Sequence, residues 1–209
     1  MEREYVLASG NRGKLGEIIA MLNPLGFVVH PQSDWRIAEA EETAGTFIEN
    51  ALIKARHATR HTGLPSIADD SGLVVPALQG QPGILSARYA GAGADAEANN
   101  RKLLADLSGK HGIDRDACFI CAMVLVQSVD DPAPLVAIGR WHGYILPAPL
   151  GHGGFGYDPL FGFAAVKTDG GQHSAAELSQ EDKSRVSHRG QALRELVRQI
   201  RERDEGFTA

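Results

Sequence analysis

Apolar residues along this chain alternate between short continuous runs and recurrences every three or four positions, the pattern of strands interleaved with helices. Tyr5-Val6-Leu7-Ala8 reads as a strand. Leu15, Ile18, Ile19, Leu22 and Leu25 then recur at helical spacing until Pro24 and Gly26 close the helix, and Phe27-Val28-Val29-His30 reads as a second strand. This strand–loop–helix–strand order predicts an α/β sheet. A second helix opens with Thr46 and Glu49, which make a capping box. Ala51, Leu52, Ala55 and Ala58 form its apolar stripe, and Gly63 stops it. Asn50 and Lys54 are four apart and so share one face of that helix.

Leu64-Pro65-Ser66-Ile67-Ala68 is an apolar run that stops at Asp69-Asp70, with Ser71-Gly72 behind them. It reads either as a strand delivering two acids to a sheet edge or as a solvated turn between two strands. A strand over 73–78, a glycine-rich loop over 80–84 and a third helix over 95–107 follow. Further strands are expected over 117–127, 135–140 and 142–146. A glycine-rich loop over 151–159 comes next, then a short helix capped by Ser179 with Asp182, and a terminal helix over 190–203. The predicted fold is a mixed α/β protein in which antiparallel strands are appended to the α/β core, as one domain or as two lobes sharing a core.

Composition changes this picture little. Of 209 residues, 43% are apolar and 22% charged, which is ordinary for a globular chain. The net charge of -5 supplies no general attraction to nucleic acid or an anionic membrane. No partner of either kind is expected, and an anionic substrate must be held by a local basic cluster or through a metal. The longest apolar run, over 117–126, is about half the length a bilayer span needs. The start, Met1-Glu2-Arg3-Glu4-Tyr5, carries no signal pattern, so a cytoplasmic location is expected. Cys118 and Cys121 lie in a strand-like run where residues three apart face opposite ways, so they read as structural thiols.

Several segments carry candidate chemistry. Asp69 and Asp70 are costly beside one another unless a cation offsets them, and magnesium prefers carboxylate oxygens. Ser9 to Lys14 puts small residues and a lysine where a strand hands over to a helix, a place that favours phosphate. It is not a P-loop, because Leu15 follows the lysine. The acidic stretch Glu39 to Glu42 is a second source of carboxylates. Phe155-Gly156-Tyr157-Asp158 combines glycines with rings able to stack on a base and an acid able to read its edge. Lys183, His188 and Arg189 form a basic group near the last helix, suited to a polyphosphate. Each also has a plain alternative: a solvated turn, an acidic loop, packed aromatics, a helix end.

The order of these segments says more than any one of them. Ser9-Gly10-Asn11-x-x-Lys14, Glu41-Glu42-Thr43, Thr46-Phe47-x-x-Asn50-Ala51-x-x-Lys54, Asp69-Asp70-Ser71-Gly72-Leu73, Pro82-Gly83-Ile84-x-Ser86-Ala87-Arg88-Tyr89, Gly154-Phe155-Gly156-Tyr157-Asp158-Pro159 and Ser187-His188-Arg189-Gly190 together resemble the inosine triphosphate pyrophosphatase family. The resemblance runs from residue 5 to about 200 and implies an elongated mixed sheet with two lobes and a central substrate cleft, within a single domain over 1–209. It implies Mg²⁺-dependent hydrolysis of dITP, ITP or XTP to the monophosphate and pyrophosphate by a homodimer. It places the triphosphate grip on Ser9, Gly10, Asn11, Arg12, Gly13 and Lys14, and catalysis on Asp70 with Lys54. Magnesium falls on Asp70 and Glu42, with Glu41 the adjacent alternative, and Ser71 touches substrate. Base recognition falls on Phe155, Gly156, Tyr157 and Asp158, with Lys183, His188 and Arg189 as late substrate contacts. The separate duty of Asp69 stays open. Two other functions fit less of the pattern: a pyrophosphatase for pyrimidine or modified nucleotides, and a nucleotide-binding regulator without hydrolysis.

Overall fold

A computed structural model describes residues 4–164 and 173–206 of the chain. Six strands form one sheet in the order β2-β1-β3-β4-β5-β6: β1 (Glu4–Ala8), β2 (Val28–Pro31), β3 (Ser66–Val74), β4 (Asp116–Val126), β5 (Leu135–Ile145) and β6 (Phe161–Gly162). β1 runs parallel to both β2 and β3, with Ala8 opposite Ala68, while β5 and β6 are antiparallel. The helices are α1 (Arg12–Leu22), α2 (Phe47–Thr62), α3 (Ala96–Asp106), α4 (Gln180–Val186) and α5 (His188–Gly206). The predicted mixed α/β class is therefore found. Among the described residues, no helix is long and apolar enough to cross a membrane.

The capping residues act as read. Thr46 Oγ1 accepts from the Glu49 amide at 3.2 Å, and Gly63 ends α2 in the left-handed region. Asn11 caps α1, Asp95 caps α3 and Ser179 caps α4. Three expectations need correction. Asp69 and Asp70 sit in the middle of β3 rather than at its end or in a turn. The strand continues past them with β4 hydrogen-bonded beside it, and the Leu73 amide donates to Ser86 Oγ at 2.9 Å. It ends at Val74, short of Leu78, because Pro76 cannot donate to a ladder and opens a 3₁₀ turn instead. The two strands expected over 135–146 are one, since inward and outward residues keep alternating through Gly139, Arg140, Trp141 and His142.

The chain forms two compact units. One comprises Met1–Asp70, Cys121–Gly139 and His188–Ala209; the other comprises Ser71–Ile120 and Arg140–Ser187. In the first, the sheet is apolar on both faces. Tyr5, Leu7, Ile67, Cys121 and Met123 pack with Ile18 and Leu22 of α1 and with Leu193 and Leu196 of α5. On the opposite face Val6, Ala8, Ala68 and Val124 meet Ala51, Ala55 and Ala58 of α2. Each fully buried aliphatic side chain here contributes about 1.5–3 kcal/mol of transfer free energy. The small alanines let α2 lie close to the strands. α5 starts at His188, two residues before the predicted Gly190, and its first turn rests on β5 backbone. A Cβ at Gly139 would fall 1.9 Å from the His188 carbonyl oxygen, so only glycine permits that approach. The second unit has its own core, in which Leu73, Leu103, Phe119, Trp141, Ile145 and Phe161 are prominent.

Candidate active site

Strand alternation sorts the two acids of β3. Ile67 belongs to the core under α1 and α5, so Asp69, two residues on, faces the same side. Ala68 belongs to the core under α2, so Asp70 faces that helix. Parallel pairing sets Ala8 beside Ala68, which brings the Ser9–Lys14 turn alongside Asp69. Within that turn the Asn11 amide donates to Ser9 Oγ at 3.3 Å and Asn11 Oδ1 accepts from the Lys14 amide at 3.1 Å. Gly10, Asn11 and Arg12 remain exposed at the start of α1, where backbone amides lack partners within the helix and favour an anion.

Asp69 is fully buried and surrounded by cations. Lys14 Nζ stands 3.2 Å from its Oδ2 and Arg189 Nη2 3.6 Å from the same atom. Burial opposes its charge, but Lys14, Arg189 and Lys54 outweigh burial and hold the carboxyl well below the ordinary carboxylate range. Arg189 is itself buried and is also bonded to Glu17 on α1. Its guanidinium stays charged because Asp69 and Glu17 outweigh the cost of burial. Cys121 Sγ lies 3.9 Å from Asp69 Oδ2, and burial beside that carboxylate pushes its thiol up to about 12. It is therefore an S–H donor packed under the acid. Both cysteines are free, with Cys121 buried and Cys118 half-buried, as opposite strand faces require.

Asp70 meets a different set. Lys54 Nζ stands 3.3 Å from its Oδ1, and Asn50 Nδ2 donates to its Oδ2 at 3.3 Å. Lys54 also reaches Glu42 Oε1 at 2.8 Å, so one ammonium bridges two carboxylates. Burial raises the Asp70 carboxyl above its ordinary value; Lys54 and Lys14 pull it down, while Glu42 and Asp69 add to the rise. Lys54 is raised in turn, since Asp69, Asp70 and Glu42 together exceed the effect of its burial. Between the two glutamates, Glu42 is half-buried and engaged, whereas Glu41 is exposed.

Among the described residues, no three His, Cys, Asp or Glu side chains converge as a ready cage for a metal ion. Magnesium asks for less: it is commonly held by one or two carboxylates, with water and phosphate oxygens filling the rest. Glu42 and Asp70, converging on one cation and leaving Asp70 short of positive charge, fit that donor set.

In the second unit, Lys183 Nζ pairs with Asp158 Oδ2 at 2.6 Å, both side chains being buried. The same Asp158 oxygen accepts from the Phe155 amide at 2.8 Å, and Lys183 Nζ lies 4.6 Å from the Phe155 ring centre. Gly154 has a φ of +71° and a Cβ there would fall 2.1 Å from Asp158 Oδ2, so this turn needs glycine. Tyr157 donates to the Ser86 carbonyl at 2.9 Å, and Asn100 Nδ2 donates to the Gly156 carbonyl at 3.1 Å. Asp158 thus braces its own loop instead of presenting a free carboxylate. The basic group expected from Lys183, His188 and Arg189 is also divided: Lys183 belongs to Asp158, Arg189 to Glu17 and Asp69, and His188 is buried at the start of α5. Ser71 is half-buried on β3.

Sequence reading did not name Glu17 or Asn50 as site residues. Glu17 lies three positions after Lys14 and Asn50 four before Lys54, spacings that put each on the face of a residue already singled out.

Known proteins resemble this chain over nearly its full length. The profile of the Ham1 family matches residues 5–199. A dITP/XTP pyrophosphatase from Idiomarina loihiensis is 51% identical over 203 residues, covering 95% of this chain and 98% of that protein. A dITP/XTP pyrophosphatase from Thioalkalivibrio sulfidiphilus is 51% identical over 200 residues, covering 96% and 100%. Among solved structures, a HAM1 protein from Coxiella burnetii superposes with a TM-score of 0.85 at 44% identity, covering 96% of this chain and 99% of that one.

Proposed function

Because the chain belongs to the Ham1 family, whose curated members at this level of identity are dITP/XTP pyrophosphatases, we propose that it hydrolyses non-standard purine nucleoside triphosphates, dITP, ITP and XTP among them, to the monophosphate and pyrophosphate. It is a hydrolase acting on triphosphate anhydride bonds. The resemblance carried by the ordered motifs is thereby borne out. The observation that carries the mechanism is the grip on Asp70, one oxygen held by Lys54 and the other by Asn50, with Glu42 sharing the same lysine.

The exposed amides at the start of α1 and the Lys14 ammonium bind phosphate oxygens. Asp70 orients the attacking water and takes its proton. A carboxyl raised by burial is better matched to that task near neutral pH than an ordinary aspartate. Lys54 places positive charge where negative charge builds up on the leaving pyrophosphate. Glu42 and Asp70 would hold Mg²⁺, which when bound neutralises phosphate charge and makes a coordinated water more acidic. In the second unit the Phe155 ring and the main chain around Gly156 are assigned to base recognition, with Asp158 and Lys183 fixing the loop. Donors set for a 6-oxo group would be left facing one another by an adenine 6-amino group, and unpaired buried donors discriminate strongly. A cytoplasmic, homodimeric enzyme completes the reading; the motif resemblance supports the homodimer.

Incubation with dITP and Mg²⁺, with pyrophosphate and orthophosphate measured separately, tests the proposal. Pyrophosphate should appear first, with XTP close behind dITP in rate and dTTP and dUTP well below. Orthophosphate as the first product would refute the reaction, and preference for dTTP or dUTP would refute the substrate class.

A further inference from the structure

Glu42 lies in a segment, 37–46, that belongs to no helix or strand, yet its carboxylate is held at a defined place. The restraint comes from one face of α2. Asn50, Lys54 and His57 follow one another at i, i+4 and i+7, and each touches that segment. His57 Nε2 lies 2.9 Å from the Ala38 carbonyl oxygen, Lys54 reaches Glu42, and Asn50 binds Ala44 twice. Asn50 Oδ1 accepts from the Ala44 amide at 2.9 Å, and its Nδ2 stands 3.4 Å from the Ala44 carbonyl oxygen. The same Nδ2 donates to Asp70 Oδ2. Asn50 is buried, with only 1% of its surface exposed, in a helix interior where asparagine is a poor former and where Thr46 already supplies the cap. Its placement serves the segment and the acid.

We propose that Asn50 is a positioning residue, whose carboxamide ties Ala44 to Asp70 and thereby sets the Glu42 and Asp70 carboxylates at fixed places on either side of Lys54. This rests on the pyrophosphatase reading for its kinetic consequence only. Aspartate at this position could still accept from the Ala44 amide but has no donor for Asp70, so it separates the two duties. A carboxamide one methylene longer would have to move one contact to keep the other.

The test compares Asn50→Ala, Asn50→Asp and Thr46→Ala in the full chain. Thr46→Ala removes the cap of the same helix without touching Ala44 or Asp70. Hydrogen exchange at the Ala44 amide, thermal melting, kcat and KM for dITP, and the Mg²⁺ concentration for half-maximal rate are measured. Asn50→Ala should speed Ala44 exchange, lower kcat per folded molecule about 10- to 100-fold, as loss of a side chain orienting metal ligands does, and raise the Mg²⁺ requirement. Asn50→Asp should keep Ala44 protected while kcat still falls. Thr46→Ala should lower the melting temperature and leave kcat unchanged. Ala44 exchange unchanged in Asn50→Ala would overturn the proposal, as would equal kcat losses in Asn50→Ala and Thr46→Ala. Failure of the unaltered protein to release pyrophosphate would instead refute the reaction, and Ala44 exchange would still decide the role of Asn50.

Discussion

Asp69 and Asp70 are neighbours in sequence and belong to different ion clusters: Asp69 pairs with Lys14 and Arg189 under α1 and α5, Asp70 with Lys54 under α2. The pleat of β3 imposes this division, since adjacent residues of a strand point to opposite faces. The burial of the two acids therefore has different consequences. Asp69 is enclosed by cations and ties the Ser9–Lys14 turn to β3 through Lys14. Asp70 has more negative company, and burial leaves its carboxyl above its ordinary value.

Asp69→Asn should be strongly destabilising. Lys14 and Arg189 would keep their charges in a buried site without the carboxylate that balances them, a loss on the order of 3–5 kcal/mol. Urea unfolding should show the midpoint falling with little change in slope. Substrate affinity should weaken more than kcat per folded molecule, because Lys14 is displaced while Asp70 keeps Lys54 and Asn50. A variant as stable as the parent would show that Asp69 is not the anchor described.

The same cluster gives a pH dependence of stability. The folded carboxyl of Asp69 lies below its unfolded value, so folding binds fewer protons there and the stabilisation is present above about pH 4. It is lost as pH falls below that range through the folded value. Metal-free protein should therefore show an acid-side decline in unfolding free energy that flattens in Asp69→Asn. An identical acid profile in the two proteins would contradict the assignment.

Asp70→Asn should abolish pyrophosphate release and leave the metal-free protein at least as stable. The folded carboxyl lies above its unfolded value, chiefly from burial, so ionised Asp70 weakens the fold as pH rises through that folded value. The stability difference between Asp70→Asn and the parent should consequently grow from pH 4 toward neutrality. Added Mg²⁺ should stabilise the parent and narrow the gap. Turnover near the parental rate in the variant would remove Asp70 from the chemistry.

Much of this was legible in the sequence, and its failures have a common cause. Periodicity located the helices, and Thr46, Gly63, Asp95 and Ser179 marked their ends, because caps and periods are local. The spacing of Asn50 and Lys54 correctly put both on one face of α2, and the structure turns that face to Asp70. What sequence could not supply was tertiary pairing. Asp69-Asp70-Ser71-Gly72 has the composition of a turn, yet β3, paired with β1 up to Ala68 and hydrogen-bonded to β4 on its other side, runs straight through it. Lys183 and Arg189 are six apart and read as one basic group, but each is claimed by an acid distant in sequence, Asp158 in one case and Glu17 in the other. Charge clustered along a chain does not reveal which charges are already neutralised.

Lys183 offers the clearest test of that last point. If it were a free cation for phosphate, Lys183→Met would weaken substrate binding and leave stability almost untouched. The structure has Lys183 and Asp158 buried together, with Asp158 also holding the Phe155 amide and packed against Gly154. Removing the ammonium leaves a buried carboxylate without its partner, so Lys183→Met should cost about 3–5 kcal/mol. Gly154→Ala should perturb the same carboxylate from the other side, through the close approach of the new methyl group and a positive φ that alanine resists. The double substitution Lys183→Met with Asp158→Asn, uncharged, isosteric with aspartate and still able to accept from the Phe155 amide, should recover much of the stability lost by the single one, since no charge is left stranded. Unfolding free energies of the three variants, set beside KM for dITP and XTP, separate a brace from a ligand-binding cation. A large rise in KM with parental stability in Lys183→Met would return Lys183 to the role first read from the sequence.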